Sequence, residues 1–107
     1  MAMRYTKCHS LPYPCYGLAG SSTVANTADL TWTNGPPGGY SAVTAHVEYA
    51  AIASTAATTV VTTLGTNQTL KVSGITNVGP TDFRFRIRRQ NAEGYGDWSS
   101  YVTVNVL

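Results

Sequence analysis

The sequence predicts an all-β fold, a sandwich of two antiparallel sheets with about seven strands, on three observations. Apolar residues recur at every second position in several short runs, as in strands buried on one face. Clusters of Gly, Pro and Asn interrupt these runs at intervals of roughly ten residues, the spacing expected of a sandwich. No stretch combines the length and the period of a helix. At 107 residues the chain has the size of one domain, and with 43% hydrophobic against 11% charged residues it is too apolar to stay disordered. Polar residues break every apolar run, so no membrane insertion is expected. A net charge of +2 is far from the basic excess of a protein held by many phosphate contacts, so no nucleic-acid partner is expected.

The chain divides into an arm, residues 1–17, and a domain, residues 18–107. Tyr5, Pro12, Tyr13, Pro14 and Tyr16 make the arm dense in Tyr and Pro. Proline fixes φ and biases its predecessor toward extended geometry, so the arm reads as a strap, anchored by the domain, an internal bond or a neighbouring subunit. In the domain, Leu30 and Trp32 alternate with Asp29, Thr31 and Thr33 before the loop Asn34-Gly35-Pro36-Pro37-Gly38-Gly39. Val43, Ala45, Val47 and Tyr49 form the next inward row, with Thr44, His46 and Glu48 facing out. The Ala-rich piece that follows is too short for an independent helix and reads as strand and loop. From Thr58 to Thr63 every residue is β-branched, which favours strand. Gly65-Thr66-Asn67 turns the chain, Leu70 and Val72 alternate with Lys71 and Ser73, and Gly74 to Pro80 makes a further connection. Phe83, Phe85 and Ile87 then point one way and Arg84, Arg86 and Arg88 the other. Gly94-Tyr95-Gly96 closes a hairpin, and Val102, Val104 and Val106 end the pattern. The expected core is Leu30, Trp32, Val47, Tyr49, Leu70, Val72, Phe83, Phe85, Ile87, Val102 and Val104.

From about residue 18 to residue 106 this pattern resembles a fibronectin type III domain, an immunoglobulin-like sandwich. Asp29-Leu30-Thr31-Trp32 looks like the family's second strand with its buried tryptophan, and His46-Val47-Glu48-Tyr49 like its third. Leu70-Lys71-Val72-Ser73-Gly74-Ile75 resembles the strand and turn before the corner. The run from Phe83 to Arg88 with Asn91, Gly94, Gly96 and Trp98-Ser99 is similar to the family's most recognisable segment. Two residues depart from it. Phe83 stands where the family has a tyrosine whose hydroxyl ties the corner to nearby backbone, so the corner is expected to be weaker or compensated. Arg89 falls on the inward phase, where an unpaired guanidinium is costly, so it is expected near the sheet end, exposed or paired with Asp97 or Glu93.

Enzymatic chemistry finds little footing. The five carboxylates, Asp29, Glu48, Asp82, Glu93 and Asp97, have no acid/base spacing, and nothing suggests a group to orient Cys8-His9-Ser10. No cofactor is expected. A zinc site using Cys8, Cys15, His9 and His46 would match no common ligand spacing. Cys8 and Cys15 flank six residues that include two prolines, and a disulfide and two reduced thiols are equally compatible with this spacing. No integrin-type Arg-Gly-Asp is present, and the sequon Asn67-Gln68-Thr69 reads as incidental.

Arg84, Arg86 and Arg88 with Trp98 resemble the arginine and tryptophan stacking ladder near the Trp-Ser motifs of cytokine-receptor relatives, in partial form because one Trp-Ser unit is present. The row reads either as a soluble, edge-protecting face paired across strands with Glu48, which is the preferred reading, or as a partner-binding patch. The first twenty residues hold no apolar stretch of the secretory kind, so export by that route is not expected. The expectation for function is a non-enzymatic structural or interaction module: a small subunit docking by its arm onto a larger protein assembly such as a virus particle, as a capsid decoration or tail accessory protein. A virion surface or the cytoplasm is the expected location, and a homo-oligomer is compatible. The alternative is a carbohydrate or cell-surface adhesion module using loop aromatics such as Tyr40 and Tyr95.

Overall fold

A computed structural model describes residues 11–36, 44–63 and 68–107. Eight strands follow in order: β1 (Tyr16–Ser21), β2 (Ala28–Thr33), β3 (Thr44–Ala51), β4 (Thr58–Thr63), β5 (Thr69–Val72), β6 (Thr81–Asn91), β7 (Gly94–Tyr95) and β8 (Val102–Val106). One sheet is β1-β2-β5; the other runs β4-β3-β6-β7, with β8 also paired to β6, and every pairing is antiparallel. The six runs read from the sequence are β2–β6 and β8; β1, which begins inside the segment read as arm, and β7, a two-residue return strand at Gly94, bring the total to eight.

The alternation read from the sequence is the alternation of burial. Along β6 the residues from Phe83 to Asn91 are buried at every second position, and Leu30 and Trp32 do the same on β2. Phe85, Ile87, Val47, Leu30, Val72, Ile75 and Val106 are the largest fully enclosed side chains between the sheets. Full burial of such a side chain contributes about 1.5–3 kcal/mol. Three residues expected in the core sit at its margin instead. Leu70 lies on the edge strand β5, Val102 opens β8, and Tyr49 stacks on Phe85 at 5.4 Å with a shallow cavity beside it. Cys15, Ala28, Ala45, Ile75 and Val106 join the core in addition. The Ala-rich piece ends β3 and turns into β4.

The sandwich closes where β1 passes β8. A Cβ on Gly20 would stand 2.5 Å from Val104 Cγ2 and 2.9 Å from Leu30 Cδ2, so a larger residue here would push these core side chains aside. At Gly17, φ +68° accompanies a bulge in the β1–β2 register, a conformation glycine adopts without strain.

The corner without a tyrosine is held by two asparagines. Phe83 is buried and lies 6.1 Å from the Tyr49 ring, which leaves the polar work to others. Asn26 Nδ2 donates to the carbonyls of Ile75 (2.8 Å) and Asn77 (3.0 Å) and to Asn77 Oδ1 (2.8 Å). Asn77 Nδ2 donates in turn to the carbonyls of Gly79, Val106 and Leu107. The backbone joins in, since Asn26 N–H donates to the Leu107 carbonyl at 2.6 Å and Ile75 N–H to the Asn26 carbonyl. Asn26 adopts φ 59°, a left-handed conformation that asparagine tolerates better than most residues. The clamp ties the β1–β2 loop, the β5–β6 connection and the end of β8 into one corner. Asn77→Ala is therefore expected to lower stability by about 1–3 kcal/mol in urea denaturation, with an unchanged m-value.

Candidate functional site

The outer face of β6 carries a ladder of alternating cations and rings. Arg84, Arg86 and Arg88 stand opposite Ala50, Glu48 and His46 of β3. On the other side the chain returns past β6 without strand pairing from Gly96 to Tyr101, and Ser99 hooks it in place. Ser99 N–H donates to the Ile87 carbonyl at 2.8 Å, and Ile87 N–H donates to Ser99 Oγ at 3.0 Å. This hook sets the neighbouring aromatics among the guanidiniums. Tyr101 lies 5.6 Å from Arg84 and 4.9 Å from Arg86; Trp98 lies 4.4 Å from both Arg86 and Arg88; Tyr95 lies 4.0 Å from Arg88. The buried His46 ring ends the ladder, edge-on to Tyr95 at 4.9 Å.

Polar bonds fix the outer groups. Arg86 Nε donates to Glu48 Oε1 at 2.8 Å, and the Tyr101 hydroxyl donates to the same oxygen at 3.5 Å. Arg84 Nη1 donates to the carbonyls of Ala51 and Ser54. Each cation–ring pair of this kind stabilises by about 0.5–1 kcal/mol at exposed sites and more where water is excluded. The structure thus brings Arg84, Arg86, Arg88 and Trp98 together, as the sequence suggested, and adds Tyr95, Tyr101, His46 and Ser99. An aromatic at every third position, 95, 98 and 101, beside an arginine at every second was the available signal for the two added tyrosines. Tyr95 has one face occupied by Arg88 and the His46 ring set nearly perpendicular to it, so it is a rung of the ladder before it is a loop aromatic.

A second arrangement lies at the pole where the arm meets the domain. Arg89 is 3% exposed, and the expected partners Asp97 and Glu93 are not the ones it uses. The period of β6 runs on to Asn91, which turns Arg89 inward, and the arm roofs it over. Arg89 Nη2 donates to the carbonyls of Tyr13 (2.8 Å) and Pro36 (2.9 Å), while Tyr13 N–H donates to Pro36 O at 3.0 Å. Pro12 is buried against Gly96, where any Cβ would collide with the Pro12 carbonyl. Cys15 is buried beside Arg89, and its thiol points to Asn34 Oδ1, which also accepts from Trp32 Nε1 at 2.8 Å. Burial raises the Cys15 pKa above the ordinary thiol value, and the Arg89 charge and hydrogen bond offset part of that rise. Tyr13, Pro14 and Tyr16 are exposed. Tyr5, Cys8, His9 and Tyr40 lie outside the described residues.

The described carboxylates include three with partners elsewhere: Glu48 with Arg86, Asp29 with Lys71 at 3.1 Å, and Asp82 accepting from Asn105 at 2.9 Å. Among the described residues no three His, Cys, Asp or Glu side chains group as metal ligands.

No protein-family model and no curated protein sequence matches the chain. Solved structures do. A crystal structure of domains from titin superposes with a TM-score of 0.77 at 22% identity over 90% of this chain and 32% of that one. The FN1–FN3 domains of chicken contactin give 0.75 at 14% identity, over 89% of this chain and 32% of that one. The FN5 domain of Drosophila Lar gives 0.70 at 13% identity, over 90% of this chain and 97% of that one. The fold is fibronectin-III-like. The chain spans about a third of the titin and contactin structures and nearly all of the Lar domain. In this fibronectin-III-like sandwich the ladder occupies the outer face of the larger sheet, and the arm packs at the end marked by Gly35, Pro36, Gly94 and Gly96.

Two outcomes test the geometry. Trp98→Ala is expected to cost about 1–3 kcal/mol, and a double-mutant cycle with Arg86→Ala should return a coupling of roughly 0.5–2 kcal/mol by chemical denaturation. Because the folded thiol of Cys15 titrates above the unfolded one, its contribution to stability is intact below the unfolded pKa and is lost as pH rises through the folded one. Native Cys15 should therefore alkylate slowly with iodoacetamide at neutral pH, and Gly96→Ala, which levers Pro12 away, should accelerate the modification.

Proposed function

We propose that the chain is a non-enzymatic interaction module that docks onto a larger protein assembly through its arm pole. The observation that carries this reading is the way the arm is held. Its root is fixed by the buried Pro12 and by Arg89, yet Leu11, Tyr13 and Tyr16 remain 46%, 57% and 61% exposed. Large aromatic side chains on a pre-ordered backbone lose little entropy on binding, which is the property of an interface anchor. The ladder is the supporting scaffold: its rings are engaged by the chain's own cations. Titin and contactin, to which the fold is similar, present such sandwiches as units within longer chains. We take the assembly to be a virus particle, with the chain at the virion surface as a capsid decoration or tail accessory protein. The all-β build and the abundance of Thr, Ala, Val and Gly with a single Lys in the domain support that choice.

The test is recovery of the protein from its native source. The wild type should co-sediment with a large particle, and the double variant Tyr13→Ala/Tyr16→Ala, with unchanged circular dichroism and melting, should lose that association by roughly tenfold or more. A wild type that sediments as a free monomer, or a folded double variant that still joins the particle, would overturn the reading.

A further inference from the structure

The edges of the two sheets are treated unequally. β1 is bulged at Gly17 and closes against β8 through Gly20; β5 has four residues and carries Lys71; β7 has two residues. Each of these is a known device for blunting a sheet edge: a bulge, a charge, a short strand or a covered flank. β4 has none of them. Its six residues, Thr-Thr-Val-Val-Thr-Thr, contain no charge, proline or glycine, and among the described residues it pairs only with β3. Alternate residues therefore turn an N–H and a carbonyl away from β3, in a row that another strand can complete.

We propose that β4 is a self-association edge, at which a second copy of this chain pairs antiparallel across a two-fold axis and joins the two larger sheets into one. A second copy is the occupant because the edge is self-complementary. Every residue on it is β-branched, and no charge repels its own image. The symmetry restricts the register. A two-fold axis perpendicular to an antiparallel pair passes midway between a residue and its own copy, so the residue numbers of facing partners add to an even sum. Val61 is 57% exposed on the ladder face, whereas Val60 already packs against the core. The register centred on Val61 therefore buries the more exposed side chain against its copy, with Thr59 opposite Thr63. Both arginine ladders then lie on one face of the joined sheet. This edge is on β4, apart from the arm pole, so the inference stands independently of the docking role assigned to the arm.

Analytical ultracentrifugation of the purified chain over a wide concentration range tests it. The wild type should move from monomer to dimer as concentration rises. Val61→Lys and Val61→Glu, each changing an exposed side chain and each verified as folded by circular dichroism, should remain monomeric at concentrations where the wild type is dimeric, because like charges then face each other. Mixing the two variants should restore the dimer. A wild type that stays monomeric up to its solubility limit overturns the proposal, and so does a dimer that both charged variants still form.

Discussion

Everything distinctive about this domain depends on the uninterrupted alternation of β6. Over eleven residues the strand never breaks phase, so one face is committed to Phe83, Phe85 and Ile87 and the other to three arginines. The same phase sends Arg89 into the space between the sheets. Neither consequence is stable by itself, since a row of like charges repels and a buried guanidinium needs acceptors. The surrounding chain answers the first and, at Nη2 of Arg89 though not at its buried Nε, the second. The segment from Tyr95 to Tyr101 interleaves rings between the outer arginines, and the arm with Pro36 brings carbonyls to the inner one.

The two ends of the sandwich are sealed by the same kind of physics with different groups. At one end a charged donor meets two backbone carbonyls; at the other, two carboxamides share carbonyls from the β5–β6 connection and the end of β8. In both places buried backbone acceptors that lie outside the strand ladders find a side-chain donor. The arm is therefore part of the domain's hydrogen-bond economy as far back as Tyr13, and strand β1 begins at Tyr16, inside the segment that composition marks off as the arm.

The strands were legible because a half-buried sheet imposes period two, and Leu30, Trp32, Val47, Phe85 and Ile87 follow it strictly. The ladder was partly legible, as the arginines and Trp98 stand out by type. Ser99, which sets the rings in register, acts through backbone bonds that no residue pattern announces. Arg89 was misplaced because a guanidinium suggests a carboxylate partner, and the carbonyls it uses come from residues 76 and 53 positions away in sequence. The Asn26–Asn77 clamp was foreshadowed only as a need: the missing tyrosine hydroxyl shows that the corner lacks a donor, while its replacement spans 51 residues of sequence.

The placement of the two tryptophans gives the molecule a pair of independent optical reporters. Trp32 is enclosed in the core with its indole N–H bonded to Asn34, close to the root of the arm, whereas Trp98 lies between two guanidiniums on the outer face. Indole emission follows local polarity and nearby charge, so the colour of one ring tracks the interior and the other tracks the surface stack. Loss of the stack before the core, or of the core before the stack, separates into two spectral phases without any added label.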